Sequence, residues 1–487
     1  MLLGAVDLGS NSFRVEIGRV VGDRIITQSS FKETVRLAGG FDAAGALTPE
    51  IQEKALACLT RFRERLAGLP ASQVRAVGTQ AMRIATNSEE FLKKAEAALG
   101  YPIEILSGHE EARMVFSGCA ATLPPSDKRR LIVDIGGAST EAVIGRGHTA
   151  QKYESFHVGC VNTSINFFPG GALSPSRLEK AIVACSAEFE DSAAKFTPDT
   201  YDEAFGSAGT FGAVSEICAQ LGWSDGTVRP EHLAQLREML LKFKNVEHIR
   251  MEGLKPERRE VIAGGLAVLS AVFSTFGIKE MRPAEGALRV GLLYSLLDVA
   301  QDRDPRDVTV DALLRETAVD RAQAERVASM SLVLLRRLSP KSSQERFKYL
   351  RWAALLHEIG MLISTSHYHH HSHYIIANAD MPGFSSTDQK RMAALVLAQR
   401  GGLGKISEML ADPAKTEEVL ALRLAVILCH ARRDIELPDL NVNRDSRGVT
   451  IYMDRAWLDA HPLTAYLLEQ ECESWRKTGR GVFVEGF

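Results

Sequence analysis

The chain is 487 residues long, with 45% hydrophobic and 24% charged residues and a formal net charge of −3. That length supports three or four domains, and that composition is ordinary for a globular protein, which excludes a disordered, collagen-like or low-complexity chain. The slight acidity excludes a general affinity for nucleic acid, so a polyanion would have to meet a local concentration of donors and metal, not a basic surface. No apolar run is long enough to cross a membrane, and the chain enters a strand at once without a signal-peptide pattern. A cytoplasmic protein is expected, with peripheral attachment to a membrane left open. The seven cysteines, Cys58, Cys119, Cys160, Cys185, Cys218, Cys429 and Cys472, contain no C-x-x-C pair. This argues against a disulfide framework or a structural zinc site and for reduced core thiols.

From the N-terminus, the apolar run Leu2–Val6 reads as a strand that ends in Asp7 and turns through Gly9, Ser10, Asn11 and Ser12. Small residues let several backbone N–H groups point into one concavity, a ready anion site. An aspartate there repels phosphate directly, so its natural role is to hold a divalent metal or a metal-bound water. Asp7 is therefore a metal candidate, although one such turn alone is more often an ordinary hairpin. Ala76-Val77-Gly78-Thr79 reads as another strand end, with Arg83 just after it. Its guanidinium either grips phosphate oxygens or forms a surface ion pair. Next, Ser107 and Glu110 have the spacing of a capping box at the start of a helix. The cap leaves Glu111 unused. That carboxylate either complements the helix dipole or, beside metal and phosphate, orients and deprotonates an attacking water.

The pattern then repeats. Leu131–Val133 leads into Asp134 and a turn of Gly136, Gly137, Ala138 and Ser139, and Ile144-Gly145-Arg146 answers Ile17-Gly18-Arg19 at the same offset. A later strand end, Gly206-Ser207-Ala208-Gly209-Thr210, matches Gly78-Thr79. An internal duplication follows, and with it two α/β lobes facing each other across a cleft lined by the turns. Asp134 becomes the second metal candidate. After Pro305 the patterning is helical, with a stripe through Asp320–Leu338, so an all-α domain is expected from about residue 308 to the 430s. Gly448–Tyr452 and a helix over Thr464–Trp475 suggest a small α+β end piece. Arg336, Arg337, Lys341, Arg346, Lys348 and Arg351 form a basic run with few acids, ordinarily a solvated helix and loop. His357-Glu358 and the crowd His367–His373 suggest a metal, but a structural or interface role is favoured because the lobes already supply a hydrolytic site.

Five separated segments, in order, carry a resemblance: Asp7–Arg14, Gly78-Thr79 with Arg83, Ser107–Arg113, Asp134–Glu141 and Gly206–Thr210. Together they resemble the exopolyphosphatase and guanosine pentaphosphate phosphohydrolase (Ppx/GppA) family of the actin-like, sugar-kinase and heat-shock ATPase superfamily, in its long two-halved form. The resemblance implies an α/β fold of two actin-like (ribonuclease H-like) lobes over residues 1–123 and 124–303 with a cleft between them. An all-α HD-like domain over 308–436 and a small α+β domain over 437–487 would follow.

It also implies Mg²⁺-dependent (or other divalent) hydrolysis of the terminal phosphoanhydride of inorganic polyphosphate, with guanosine pentaphosphate (pppGpp) as the alternative substrate. The family's catalytic base falls on Glu111 and its metal acid on Asp134, with Glu141 nearby and Asp7 opposite. Its phosphate contacts fall on Gly9–Ser12, Arg83, Gly136–Ser139 and Gly209. Arg336, Arg337, Lys341, Arg346 and Lys348 would form a polyphosphate track in a homodimer. The chain departs from the family at Ala138, where glycine is usual. If that position needs a left-handed backbone, alanine costs about 1 kcal/mol. Ala138 is also the one hint of a non-catalytic polyphosphate or alarmone sensor. A sugar kinase or chaperone-like ATPase is the remaining rival, opposed by Glu110-Glu111 and the extra helices.

Overall fold

Along Leu2–Leu8 the even apolar positions Val6 and Leu8 join one core while Leu3 and Ala5 join another, as a strand buried on both faces requires. This strand, β1, starts a five-stranded sheet ordered β3-β2-β1-β4-β5, with β2 (Ser12–Val21), β3 (Arg24–Thr34), β4 (Val74–Gly78) and β5 (Ile103–Ile105). The second sheet has the same topology, β8-β7-β6-β9-β10, from β6 (Arg130–Ile135), β7 (Thr140–Arg146), β8 (Thr149–Phe156), β9 (Glu203–Ser207) and β10 (Arg282–Pro283). In both, an antiparallel meander of three strands is extended by two parallel strands. Even the register irregularities coincide, at Ile17/Gly18 and Ile144/Gly145.

The computed structural model describes residues 1–22, 24–124, 126–300, 304–317, 319–434, 440–445 and 448–486. They form two units, Met1–Arg303 and Asp304–Phe487. In the first unit the helices are α1 (Pro49–Arg65), α2 (Gln80–Ile84), α3 (Ser88–Leu99), α4 (Gly108–Thr122), α5 (Cys160–Phe167), α6 (Pro175–Glu190), α7 (Ala208–Gln220), α8 (Pro230–Lys242), α9 (Ile262–Thr275) and α10 (Leu288–Ala300). Phe62 of α1 and Phe91 of α3 bury one face of the first sheet with Leu8 and Phe13. On the outer face of the second sheet, Phe189 of α6 and Leu266 of α9 pack with Leu131 and Val133. Between the sheets, Phe116 of α4 and Leu292 of α10 meet Leu3 and Val77 from one sheet and Ile132, Val143 and Phe205 from the other. Each such side chain contributes about 1.5–3 kcal/mol by leaving water. Backbones of α4 and the α10 entry touch: a Cβ at Gly118 would collide with the Ala287 carbonyl, and one at Gly291 with that of Met114.

Period two then decides where the polar residues go. Since Val6, Leu8, Val133 and Ile135 take the outer faces, Asp7 and Asp134 face the middle layer, and the ladder pairs them with Arg14 and Glu141 on the same side.

The second unit holds α11 (Pro305–Glu316), α12 (Arg321–Leu338), α13 (Gln344–Leu355), α14 (Tyr368–Asn378), α15 (Ser386–Ala398), α16 (Ser407–Leu410), α17 (Pro413–Leu428), α18 (Arg455–Ala460) and α19 (Pro462–Arg476). A sheet of β11 (Asn441–Asp445), β12 (Gly448–Met453) and β13 (Val482–Gly486) completes it. The expected division into separate domains over 308–436 and 437–487 is corrected here. Ile451, Met453, Trp475 and Val482 belong to the same apolar core as Trp352, Phe384 and Leu422, because this short sheet has no second layer of its own to cover it. The 436/437 junction itself lies outside the described residues. All seven cysteines are free and buried. No described helix is long and apolar enough to cross a membrane.

The basic run is also corrected. Arg346 donates to Glu418 at 2.7 Å and to Glu417 at 3.1 Å, and Lys348 pairs with Asp304 at 3.0 Å. Arg351 pairs with Glu325 at 3.0 Å. Arg346 and Lys348 are thus spent inside the unit. Arg336, Arg337 and Lys341 are exposed, with Arg336 over the Phe347 ring.

Candidate active site

The two turns leave β1 and β6 and line one cavity of 280 Å³ in the first unit. Asp7 and Asp134 stand at the strand ends, Gly9, Ser10, Asn11 and Ser12 and then Gly136, Gly137 and Ser139 form the rims, and Gly209 opens α7 beside them. Glu111 reaches the same cavity from the first turn of α4. Ser107 caps that helix by accepting from the Glu110 N–H at 3.1 Å, which orients the first turn so that Glu111 faces inward. Glu110 turns instead to Arg113, at 3.1 Å.

Charge in the cavity is unbalanced. Among the described residues lining it, five acids, Asp7, Glu111, Asp134, Glu141 and Glu285, meet three cations, Arg14, Arg258 and Arg289. Burial raises the Asp7 pKa against the opposing pull of Arg289 and Arg14. Asp134 is pushed up to about 7 by burial and by the Glu111 charge. Burial and the neighbouring Glu111 and Asp134 hold Glu141 well above the usual carboxylate range, although Ser155 donates to its Oε1 at 2.9 Å. Glu111 is raised by burial, with Arg83 holding it back. Carboxylates crowded in this way accept a cation or a proton. Asp134 Oδ1 is buried with no hydrogen-bond partner among the described residues, so a hard cation fits the donor set. Among the described residues no three His, Cys, Asp or Glu side chains form a ready-made ligand cage. A cation here would be held by one or two carboxylates, with substrate and water completing its shell, the usual manner of Mg²⁺.

Two expected site residues are placed elsewhere. Arg83 does not line the cavity. Its Nη1 donates to Glu111 Oε2 at 2.9 Å and to the Leu106 carbonyl at 2.9 Å, and its Nε to Gln80 Oε1 at 2.9 Å. Gln80 in turn meets His157 Nδ1 at 2.8 Å. Arg83 thus holds the carboxylate from behind. Ala138 does not take a left-handed backbone, so the feared strain is absent. Its methyl is buried with Ala38, Cys160 and Val161 and does not itself line the cavity.

Arg14, Arg258, Arg289 and Glu285 were missed. Arg14 was legible, seven positions after Asp7 on an alternating hairpin and paired to it in register. Arg289, 3.8 Å from Asp7 and 3.1 Å from Glu16, and Arg258 come from segments without a motif. A Cβ at Gly209 would fall inside the Arg258 guanidinium, so glycine there lets that guanidinium reach the cavity. Arg258, Arg14 and Gly209 also line an adjoining cavity of 770 Å³ that includes Lys32, Lys255, Gly212 and Leu254. Lys32 is lowered by burial and by the Arg258 and Arg14 charges, with Glu257 opposing them.

In the second unit, Glu358 is held by Arg432 at 2.7 and 2.9 Å. His357 therefore lacks the free acid that an HD-type metal pair needs.

Comparison with known proteins places the chain. Residues 17–300 match the Ppx/GppA phosphatase family, and residues 306–472 match Ppx/GppA phosphatase, domain III. A protein of Aeromonas hydrophila subsp. hydrophila named guanosine-5'-triphosphate,3'-diphosphate pyrophosphatase is 38% identical over 485 residues, covering 98% of this chain and 97% of that one. A protein of the same name from Aeromonas salmonicida is also 38% identical over 485 residues, with the same coverage. Among solved structures, an exopolyphosphatase from Cytophaga hutchinsonii aligns with a TM-score of 0.56 at 22% identity, over 61% of this chain and 98% of that one. The Aquifex aeolicus PPX-GPPA enzyme aligns with a TM-score of 0.51 at 22% identity, over 61% and 99%. These two likenesses speak to the actin-like fold alone. The chain belongs to the Ppx/GppA phosphatase family.

Proposed function

We propose that this member of the Ppx/GppA phosphatase family removes the terminal phosphate of guanosine pentaphosphate, giving guanosine tetraphosphate and orthophosphate, in preference to inorganic polyphosphate. The expected order of substrates is thereby reversed. The carrying observation is the pair of adjoining cavities that share Arg14, Gly209 and Arg258: a small carboxylate-rich one sized for a terminal phosphate, and a wide one, lined by Arg14, Lys32, Lys255 and Arg258 against Glu216 and Glu257, for a nucleoside and its second phosphate group. The name of the near-full-length Aeromonas relatives supports the same substrate. The polyphosphate track loses support, because Arg346 and Lys348 are already neutralised.

In this reading the backbone N–H groups of Gly9–Ser12 and Gly136–Ser139 cradle the terminal phosphate, and Arg14, Arg258 and Arg289 offset its charge. Glu111, steadied by Arg83, accepts a proton from a water as its oxygen bonds to the terminal phosphorus. The bridging P–O bond breaks, and its electron pair leaves with the diphosphate end of the substrate. Asp134, aided by Asp7 and Glu141, would hold a divalent cation that supplies further charge neutralisation when bound. The leaving group is a good one, so no general acid is needed.

Orthophosphate release from pppGpp and from long polyphosphate, for wild type and Glu111→Gln, tests this. A larger kcat/KM for pppGpp, and a loss of turnover of about 10²–10⁴-fold in the variant with substrate binding kept, are expected. A larger kcat/KM for polyphosphate overturns the substrate assignment. An undiminished variant overturns Glu111 as base.

A further inference from the structure

The second unit encloses its own cavity of 480 Å³ among α12, α14, α17 and α19, within the size range of small-molecule sites. Its inner end carries two buried acceptors without donors. His357 is fully buried, and its Nδ1 lies 2.6 Å from the Ala354 carbonyl. The ring proton therefore sits on Nδ1 and leaves Nε2 as an acceptor. Gln399, 2% exposed, donates its amide nitrogen to the His357 carbonyl at 2.7 Å, which fixes its Oε1 as the free end. Neither His357 Nε2 nor Gln399 Oε1 has a hydrogen-bond donor among the described residues, the Glu358 carboxylate 3.8 Å from His357 Nε2 being itself an acceptor held by Arg432. Buried acceptors left this way are costly unless something donates to them.

The mouth is built for the opposite chemistry. Gly401 lines it with a left-handed backbone, and a Cβ there would lie 3.2 Å from Lys405 Nζ and 3.6 Å from His369 Nε2. Lys405 Nζ is tied to the Arg400 carbonyl at 2.6 Å, and the Arg400 guanidinium lies 5.1 Å from the Tyr368 ring centre. Burial, Arg423 and Arg400 push the Lys405 pKa down to about 8, and burial, Lys405 and His370 push His369 down to about 4. Like charges crowd this rim. The other cations of the cavity are already matched: Arg423 bonds Glu471 at 2.5 and 2.7 Å, and Arg432 bonds Glu358. Met361, Val426, Ile427 and Leu467 give the wall an apolar part, beside the polar Gln323, Gln470 and Ser474.

We propose that this cavity binds a purine nucleoside phosphate, with its phosphate on the Arg400–Lys405 rim and an N–H-bearing edge of its base on His357 Nε2 and Gln399 Oε1. A bare phosphate would leave the inner acceptors unmet and the apolar wall wet. A flat ring with an amino group meets both and stacks along Tyr368. The site uses no residue of the catalytic cavity and does not depend on the substrate assigned above.

Titration calorimetry of the full chain with AMP, GMP, ribose 5-phosphate and inorganic phosphate tests it. At least one of the two nucleotides is expected to bind one to one and about tenfold or more tighter than ribose 5-phosphate. Arg400→Glu, at an exposed position, is expected to weaken it about tenfold, as is Ile427→Trp, which fills the wall, while Arg258→Ala in the other unit leaves it unchanged. Unaltered melting temperatures establish that the variants fold. Absence of binding by both nucleotides, equal binding of ribose 5-phosphate, or loss of binding in Arg258→Ala instead of Arg400→Glu overturns the proposal.

Discussion

Replacing Arg83 with Met separates two roles for this residue: a grip on substrate phosphate, as the family resemblance implies, or a brace for Glu111, as the geometry indicates. The guanidinium lies 2.9 Å from Glu111 Oε2, with the two side chains 17% and 9% exposed. It favours the ionised carboxylate, whereas burial and the Asp7 charge favour the protonated one. Without it the Glu111 pKa rises further. A guanidinium at this range is worth about 1–3 pH units to a carboxylate, and each unit costs about tenfold in ionised Glu111 on the acid side. Orthophosphate release measured from about pH 5 to about pH 9 should therefore show the acid limb of kcat/KM displaced upward by about 1–2 pH units, with Arg83→Lys restoring part of it. KM should change little. Loss of a partner for a buried charge also costs about 3–5 kcal/mol of stability, so the assay temperature must lie below the lowered Tm. An acid limb that stays in place while KM rises about tenfold refutes the brace and returns Arg83 to the substrate.

Three further outcomes follow from the same geometry. Asp134 has a pKa raised from 3.8 to about 7, so it opposes folding increasingly as pH climbs through that window, by on the order of 4 kcal/mol once fully ionised. Asp134→Asn should accordingly melt higher than wild type near neutral pH and converge with it toward about pH 4, in EDTA, while losing activity and the stabilisation that added Mg²⁺ gives wild type. An unchanged Tm across that range contradicts the charge crowding. Gly209→Ala should displace the Arg258 side chain and raise KM with little change in Tm, because the colliding atoms are the end of a flexible chain; an unchanged KM removes Arg258 from the substrate site. Arg346→Met should destabilise the protein by about 3 kcal/mol, because Glu418, 1% exposed, keeps only Arg391. Its kcat/KM on long polyphosphate should stay as it was. A selective loss on long chains would restore the track.

What was legible in the sequence had local causes. Strand alternation fixed the face of Asp7 and Asp134, small residues fixed the turns, and the Ser107 cap aimed Glu111. Apart from Arg14, which sits on the same hairpin as Asp7, what was missed depends on partners far along the chain. The run Arg336–Arg351 looks uncompensated because its acids lie elsewhere, Glu418 being 72 positions from Arg346. Arg258 and Arg289 enter the cavity from a short 3-10 segment and a helix start with no periodic signature. Ala138 looked strained because a family glycine suggested a left-handed backbone. Its real constraint is the small apolar cluster against Cys160 and Val161. The end piece was taken for a domain because local patterning shows strands and helices but not whose core they share.

The duplicated hairpins also explain why the two aspartates are not equivalent. The ladder sets Asp7 opposite Arg14 and Asp134 opposite Glu141, so the equivalent ladder position holds a cation in the first copy and an acid in the second. Arg289 and Arg14 offset the burial of Asp7. Asp134 has instead the like charges of Glu111 and Asp7, and Glu141 is raised by both Glu111 and Asp134. The first hairpin therefore has cations beside its aspartate, although burial still raises the Asp7 pKa, and with its N–H groups this suits it to an anion. The second has no cation at its own ladder partner, so its crowded carboxylates favour uptake of a cation or a proton. On the reading proposed above, divergence at a single ladder position thus weights the first copy toward phosphate and the second toward a cation, with Glu111 lining the same cavity.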